Sequence, residues 1–243
     1  MGKKEEWFHL SARMIPAHRN KVLAKIKHQL DQKLPCHVIS TQVVEAGIDI
    51  DFPVVFRQIA PLDSIIQAAG RCNREKSKDS YEDAVFQVFD LADSNYPSSD
   101  YKNRTNITRV ILEKYDLNFH LLDAINEYFL VAYSQLAGDR YNIQQLRKDL
   151  KFEQVSSTFR IIDDGYQFSV FVPWQDGEYI LNSLDLNKAL TEEDWRRLQS
   201  YTINLPKSLE DLASKSLCGL YVWSRDMYND DFGATSEIES FVV

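Results

Sequence analysis

The N-terminal part of the chain alternates between short apolar runs and amphipathic helical patterns. Runs of the length expected for strands occupy Trp7–Leu10, Cys36–Ser40, Val54–Ile59 and Ala84–Asp90. Apolar side chains recur at helical spacing after Pro16, which suits a first helical turn, until Pro35 ends the pattern. A second helix is predicted over Ser64–Cys72. Strands that alternate with helices at these lengths predict a parallel sheet covered by helices, so we assign this part to the α/β class.

A polar, turn-rich stretch over residues 92–106 interrupts this alternation and predicts the start of a linker. Helical patterns follow it over Ile107–Tyr115, Leu121–Leu136 and Ile143–Leu150. The linker is therefore expected to be helical over much of its length.

The remainder of the chain is richer in strand patterns. The dipeptide Asp164-Gly165 separates two alternating runs and predicts a hairpin. Thr191, with Asp194 three residues later, predicts a capped helix start, and Leu217–Trp223 predicts a further strand. We therefore expect three parts: a partial parallel-sheet lobe (1–97), a helical linker (98–150) and a small α+β C-terminal domain (151–243).

Charge is distributed unevenly along the chain. The net charge is −8. Residues 1–104 hold 15 Lys and Arg against 14 Asp and Glu, a net charge of +1, whereas residues 105–243 hold 13 against 22, a net charge of −9. Contact with phosphates needs only a local cluster of hydrogen-bond donors. The near-neutral charge of residues 1–104 is therefore compatible with nucleic-acid binding but is not evidence for it.

Membrane and metal partners are not expected. No apolar stretch approaches the ~18 residues of a membrane span. The cysteines lie far apart, without the C-x-x-C spacing of a metal site, and their sparse use is typical of a reducing compartment. We therefore expect a cytoplasmic protein without a bound metal of its own.

The first segment with candidate ligand-binding residues is STQVVEAGIDIDF, from Ser40 to Phe52. It follows a predicted buried strand, so Ser40 and Thr41 come at the carboxyl end of that strand, where open α/β sheets bind ligands. Hydroxyl and backbone N–H groups at this place can reach phosphate oxygens. Gly47 allows close backbone approach, and Asp49 offers an acceptor for a sugar hydroxyl. The alternative is a purely structural turn anchored by the two isoleucines.

The second segment is QAAGRCNR. On a helix, offsets of three, four and seven would place four residues on one face: Gln67, Gly70, Arg71 and Arg74. Two guanidinium groups and an amide around a glycine form a surface that can bind anions. An arginine directed at a phosphoryl group stabilises the transition state of phosphoryl transfer. The alternative is a solvated basic face paired with Glu75 and Asp79.

The two segments occur in order and are separated by one predicted strand. This arrangement resembles motifs V and VI in the second RecA-like lobe of superfamily 2 helicases. STQVVEAGIDIDF followed by APLDSIIQAAGRCNRE is similar to the helicase–nuclease of type I CRISPR systems, which the Cascade surveillance complex recruits to degrade target DNA. FHLSAR, over Phe8–Arg13, with His18 and Arg19 soon after, resembles the motif IV region of the same family.

The resemblance implies that residues 1–97 form part of a RecA-like lobe in an ATP-driven enzyme that moves along single-stranded DNA. It implies γ-phosphate contacts for Arg71 and Arg74, of which Arg74 would be the arginine finger. Nucleotide contacts are implied for Gln67 (γ-phosphate), Asp49 (ribose), Gly70 and Gly47, the last of which would couple the two ligands. Contacts with the DNA backbone are implied for Ser11, Arg13, Ser40 and Thr41.

Several motifs of the complete enzyme are absent from the sequence. The chain has no G-x-x-x-x-G-K-[ST] loop, no Asp-Glu-x-Asp/His motif and no His-Asp dipeptide, which the family's nuclease domain requires. We therefore expect ATP and Mg²⁺ to act in the full enzyme, while this chain alone binds neither and is inactive. Expected partners are single-stranded DNA, a first helicase lobe and a nuclease domain in cis or in trans, and Cascade.

Two alternatives stay open. The chain could belong to another superfamily 2 helicase that acts on RNA or in repair. It could instead be a non-catalytic protein-binding module derived from a helicase, which the acidic C-terminal half would suit and for which an inhibitor protein would be a partner.

Overall fold

The computed structural model describes residues 6–45, 47–74, 84–91, 96–118, 120–135, 139, 141–159 and 166–236. In these ranges the strands are β1 (Glu6–Leu10), β2 (Cys36–Ser40), β3 (Val54–Gln58), β4 (Val85–Phe89), β5 (Gln167–Phe171), β6 (Thr202–Pro206), β7 (Ser214–Lys215), β8 (Tyr221–Val222), β9 (Tyr228–Asn229) and β10 (Gly233–Ala234). The α-helices are α1 (Pro16–Asp31), α2 (Leu62–Ala69), α3 (Ser99–Lys114), α4 (Leu122–Gln135), α5 (Ile143–Lys148), α6 (Phe152–Thr158), α7 (Asp176–Asn182) and α8 (Glu192–Leu198). Short 3-10 helices occupy Gln42–Val44, Gln199–Tyr201, Lys207–Leu212 and Arg225–Met227.

The chain divides into two compact units, a terminal unit (Met1–Val44 with Ile162–Val243) and a central unit (Glu45–Ile161).

The terminal unit begins with a strand, a helix and a strand. β1 and β2 are parallel neighbours, and α1 connects them. Pro16 stands at the start of α1, where the missing N–H of proline costs nothing. The helix ends before Pro35, and Lys33 takes a left-handed conformation with φ 50° just beyond it. The predicted order of strand, helix and strand is confirmed. The prediction that Cys36–Ser40 is buried is wrong, because β2 is only half-buried and Ile39 is 59% exposed.

The C-terminal part of the terminal unit is a four-stranded sheet with the order β6-β5-β8-β7. β5 lies antiparallel to β6 and parallel to β8. Phe168 and Val170 alternate on β5 with exposed residues and pack with the fully buried Trp223. Ile15, immediately before α1, is fully buried in the same core. The N-terminal segment and the C-terminal sheet therefore share one hydrophobic core.

Two predictions for this region have different outcomes. The capped start of α8 is confirmed, because Asp194 N donates to Thr191 Oγ1 at 3.2 Å while Thr191 N donates to Asp194 Oδ2 at 3.0 Å. The predicted hairpin turn at Asp164-Gly165 lies outside the described residues. The run after that turn forms β5, whose neighbours in the described part of the chain are β6 and β8.

The central unit combines a small parallel sheet with helices. β3 and β4 are parallel neighbours, and α2, α3 and α4 share a core in which Ile111 and Tyr128 are at most 2% exposed. α3 starts inside residues 92–106, which were predicted to be the polar, turn-rich start of the linker. The Ser98 hydroxyl accepts a hydrogen bond from Tyr101 N at 3.1 Å and so caps the helix.

The mixed α/β fold, with small parallel sheets and helices, confirms the predicted fold class. The two compact units divide the chain at positions other than the predicted boundaries near residues 97 and 150, so the division into three domains stays a prediction. Among the residues that the structure describes, no helix is both long enough and apolar enough to cross a membrane.

Candidate functional site

The two segments singled out in the sequence meet through a β-bridge in the central unit. Phe52 and Cys72 form the bridge in parallel orientation. Phe52 N donates to Arg71 O at 2.9 Å, and Asn73 N donates to Phe52 O at 3.1 Å. These bonds fix the backbone on both sides, so the carboxylates that precede Phe52 lie close to the arginines around Cys72.

One prediction about the second segment is wrong, namely that a single helical face carries Gln67, Gly70, Arg71 and Arg74. α2 ends at Ala69, and Gly70 is its C-cap. Asn73 then adopts a left-handed conformation with φ 50°, which takes Arg74 out of helical register. The physical reason is the bridge to Phe52, whose hydrogen bonds replace those that another helical turn would make.

Arg74 is held against two carboxylates. Its Nη1 lies 2.5 Å from Asp49 Oδ1, and its backbone N donates to Asp51 Oδ1 at 2.8 Å. The side chains of Arg74 and Asp49 are 43% and 68% exposed, so water screens the ion pair and its net stabilisation is about 0–1 kcal/mol. The predicted arginine finger and the predicted ribose acceptor are thus joined in one weak, solvent-facing pair. Glu75 and Asp79, the partners of the alternative interpretation, lie outside the described residues.

Glu45 organises the second arginine, and the sequence reasoning missed it. Arg71 Nη2 donates to the carbonyl oxygen of Glu45 at 3.0 Å, and the Glu45 carboxylate accepts from Arg57 Nη2 at 2.7 Å. Burial raises the pKa of Glu45, while the neighbouring Arg57 opposes that shift by favouring the carboxylate. Arg57 also reaches the Tyr101 hydroxyl on α3 at 3.3 Å. Glu45 therefore ties its own loop to β3 and α3, and no periodic or motif signal in the sequence indicates this pairing.

The remaining predicted nucleotide-binding residues face solvent. Gly47 has φ +76°, and a Cβ there would meet nothing within 4 Å, so glycine at this place serves the backbone conformation. Gln67 is exposed on the last turn of α2, and Gly70 is exposed at its C-cap. Within the described ranges there is no group of three His, Cys, Asp or Glu side chains that could hold a metal ion.

The predicted DNA-backbone residues lie in the terminal unit, and three of them line one pocket. The pocket has a volume of about 580 Å³, and its lining includes His9, Ser11, Arg13, Thr41, Gln42 and Phe232. Ser40 does not belong to this lining. Its hydroxyl lies 3.2 Å from Leu10 O and 2.8 Å from Thr41 O, so it contributes to joining the carboxyl ends of β1 and β2.

The charge of this pocket comes from Arg13, which is exposed. Burial lowers the pKa of His9, so its imidazole is uncharged at neutral pH. Ser11 is only 5% exposed, whereas Thr41 and Gln42 are open to solvent. The arrangement offers one cation and several neutral hydrogen-bonding groups, which suits a single phosphate better than a cluster of phosphates.

Comparison with known proteins places these motifs in a family. Residues 1–77 match the family described as CRISPR-associated nuclease/helicase Cas3, C-terminal. The chain is 52% identical over 66 residues to a CRISPR-associated nuclease/helicase Cas3 of Haloferax volcanii. That alignment covers 27% of this chain and 7% of the relative. It is 32% identical to the corresponding protein of Methanothermobacter thermautotrophicus in an alignment that covers 94% of this chain and 32% of the relative.

Solved structures show the same fold. The crystal structure of T. fusca Cas3 aligns with 91% of this chain and 33% of its own, with a TM-score of 0.57 at 13% identity. The structure of T. fusca Cas3-ATP aligns with 90% of this chain and 32% of its own, with a TM-score of 0.52 at 14% identity. The chain spans at most about a third of the length of these proteins. Over most of its length the chain corresponds to the C-terminal part of CRISPR-associated nuclease/helicase Cas3 proteins.

Proposed function

We propose that the chain supplies the second motor lobe, with its C-terminal accessory region, of an ATP-dependent single-stranded-DNA helicase in type I CRISPR interference. The observation that carries this proposal is the β-bridge between Phe52 and Cys72, which gathers Asp49, Arg71 and Arg74. Two guanidinium groups and a carboxylate at one exposed place suit half of a nucleotide site. The guanidinium groups would meet phosphates, and the carboxylate would accept from a ribose hydroxyl.

Arg74 is proposed as the arginine finger. Its present partner is the carboxylate of Asp49, in an exposed ion pair worth about 0–1 kcal/mol. An arginine finger raises the kcat of phosphoryl transfer by at least about 10³-fold. The guanidinium can therefore exchange the carboxylate for a γ-phosphate at little cost, and the exchange releases Asp49 to meet the ribose.

Arg71 and Gln67 would complete the contacts with the γ-phosphate. The carbonyl oxygen of Glu45 holds Arg71 by a 3.0 Å hydrogen bond, which restricts the guanidinium before the nucleotide arrives. Gln67 lies one turn earlier, exposed at the end of α2, and Gly70 leaves the space between them without a side chain. Restricting the Arg71 guanidinium in advance lowers the entropic cost of ordering it around a phosphate.

Triphosphate affinity and Mg²⁺ are assigned to a first helicase lobe, in cis or in trans. The chain has no G-x-x-x-x-G-K-[ST] loop, whose backbone amides and lysine supply most phosphate contacts in such motors. Mg²⁺ has no candidate ligand cluster in the described part of the chain. We therefore propose that the chain alone is inactive and that its arginines act on a nucleotide held by the other lobe.

DNA is proposed to contact Ser11, Arg13 and Thr41 at their shared pocket, with Ser40 positioning the end of β2. Gly47, between Thr41 and Asp49 in the sequence, is proposed to couple the two ligands through its backbone. The nuclease domain and Cascade remain the proposed partners of the complete enzyme, in the cytoplasm.

The proposal is tested with Arg74 variants in the enzyme reconstituted from this chain and a first lobe. Arg74→Ala should lower the kcat of DNA-stimulated ATP hydrolysis by roughly 10³-fold while DNA affinity stays nearly unchanged. Arg74→Lys should restore little, because a point charge does not reproduce the planar fork of a guanidinium.

Arg197 provides the matched control. Its side chain is 41% exposed and lies 3.9 Å from Asp194, a similarly weak surface pair. Arg197→Ala should leave kcat unchanged. If Arg74→Ala stays within about twofold of the parent enzyme, Arg74 belongs to a solvated face and the finger assignment is lost. Stimulation by RNA in place of DNA would support the alternative of an RNA helicase.

A further inference from the structure

The turn between β9 and β10 is fixed on the loop that follows β1. Ala234 N donates to Arg13 O at 2.9 Å, and the Tyr228 hydroxyl accepts from Ile15 N at 3.0 Å. Gly233 has φ +87°, and a Cβ there would lie 2.4 Å from Arg13 O, so the two backbones touch. The C-terminal turn is thus a wall of the pocket that Arg13 lines.

Phe232 is the aromatic side chain on this wall. Asn229 Oδ1 accepts from Phe232 N at 3.0 Å and from Asp231 N at 2.7 Å, which holds the backbone of the turn. The ring contacts His9 edge-on, with centroids 5.4 Å apart and planes at 62°. The residue is 45% exposed, although Gly233 and Ala234 beside it are buried. A large aromatic side chain is therefore presented to the pocket in place of being packed into the core.

The opposite side of the pocket is polar and carries the cation. Ser11, Arg13 and Thr41 supply hydroxyl groups and a guanidinium at the ends of β1 and β2. The pocket lining on the side of Phe232 includes Ala234 and Thr235 and is uncharged. The nearby Asp230 does not line the pocket and is paired with Arg225 Nη2 at 2.8 Å, while it accepts from Trp174 Nε1 at 2.7 Å. A phosphate is therefore attracted to the side of the pocket that carries Arg13.

We propose that Phe232 is a stacking platform for one nucleobase of a single strand whose phosphate lies against Ser11, Arg13 and Thr41. The inference rests on the proposed function, since it assigns a base-binding position to the same DNA track. A base has no net charge and an accessible π-face, so it can occupy the uncharged side of the pocket that Phe232 lines. Stacking on an aromatic ring tolerates any sequence, as translocation along DNA requires.

The test measures binding of fluorescently labelled oligothymidylate to the full 243-residue chain, beside an abasic oligomer of the same length. Phe232→Ala and Phe232→Leu should weaken binding of oligothymidylate by about 5- to 150-fold and leave binding of the abasic oligomer unchanged. Phe232→Tyr should keep the affinity of the parent chain. The leucine and tyrosine variants retain the bulk of the side chain, so they separate loss of the ring from loss of packing.

Two further variants make the outcomes distinguishable. Arg13→Ala should weaken binding of both oligomers alike and lower the salt dependence of binding by about one ion. Trp195 on α8 is 46% exposed, so Trp195→Ala is the matched aromatic control and should change neither affinity.

Different results overturn different assignments. If Arg13→Ala weakens binding while all Phe232 variants bind as the parent does, the stacking position is wrong and the DNA track stands. If the Phe232 variants weaken both oligomers equally, the ring acts through the structure of the turn and the inference fails. If the parent chain binds neither oligomer, the proposed DNA track fails together with the inference.

Discussion

Gly233 determines how closely the C-terminal turn approaches the loop after β1. It combines a left-handed φ of +87° with backbone contact, since a Cβ would come within 2.4 Å of Arg13 O. We expect Gly233→Ala to lower the free energy of unfolding by about 2 kcal/mol or more, from backbone strain and from displacement of the turn. Urea unfolding of the purified chain measures this loss.

Gly219 supplies the control for this prediction. Its φ is +84°, but a Cβ there would meet nothing within 4 Å. Gly219→Ala should therefore cost only the backbone term, about 1 kcal/mol. Equal losses for the two variants would show that the close approach at Arg13 contributes nothing to stability.

The chemistry of single residues was only partly accessible from the sequence. The segments that contain Asp49 and Arg74 were recognisable because their residue types and order resemble a helicase motif pair. The direct ion pair between Asp49 and Arg74 could not be recognised from the sequence, because it depends on the bridge between Phe52 and Cys72. The roles assigned to these side chains stay predictions until their variants are measured.

At the scale of elements, the ion pair between Asp90 and Arg109 joins the end of β4 to α3. Arg109 Nε donates to Asp90 Oδ2 at 2.8 Å and Arg109 Nη2 to Asp90 Oδ1 at 3.0 Å, while the Tyr96 hydroxyl accepts from Nη2 at 2.8 Å. The hydrogen bonds from Arg109 lower the pKa of Asp90. Folding favours the charged form, so its stabilisation is fully present above the ordinary aspartate pKa and is lost as the pH falls through the lowered pKa of Asp90 in the folded chain.

Asp90→Asn should therefore destabilise the chain at pH 7 and destabilise it less near pH 3, below the ordinary aspartate pKa. Both side chains are partly exposed, so the expected loss at neutral pH is at most about 1 kcal/mol. Urea unfolding of the parent and the variant across this pH range gives the comparison. A difference in stability that is the same at both pH values would mean that packing, and not the charge of Asp90, joins these elements.

Regular elements with a strong period were predicted well. The apolar runs over Trp7–Leu10 and Cys36–Ser40 correspond to β1 and β2, because short apolar runs bounded by other elements specify strands locally. The end of α2 was not predicted, because Gly70 is tolerated inside a helix and the competing bonds come from Phe52, distant in sequence. The start of α3 was not predicted, because the polar residues of its first turn, which Ser98 caps, have the composition of a linker.

At the scale of the whole molecule, the terminal unit joins the two ends of the chain. Ile15 is fully buried with Val170 and Trp223, and His18 stacks on Trp174 with ring centroids 4.6 Å apart. A local sequence pattern does not encode which distant segment a buried residue meets, so this shared core was not predictable. Truncation at the predicted boundary near residue 150 would remove the partners of Ile15, so it would disturb α1 as well as the accessory region.

We propose that this chain is one half of a DNA-dependent ATPase. The most direct measurement compares ATP hydrolysis, with and without single-stranded DNA, by the purified chain, by a first helicase lobe from the same organism and by their mixture. We expect background turnover by the chain alone and DNA-stimulated turnover by the mixture, because the triphosphate-binding loop and the arginines come from different lobes. DNA-stimulated hydrolysis by the chain alone, after contaminating ATPases are removed, would show that the chain is not half of a motor. A mixture that stays at background would also rule out the half-motor function and would favour a protein-binding module.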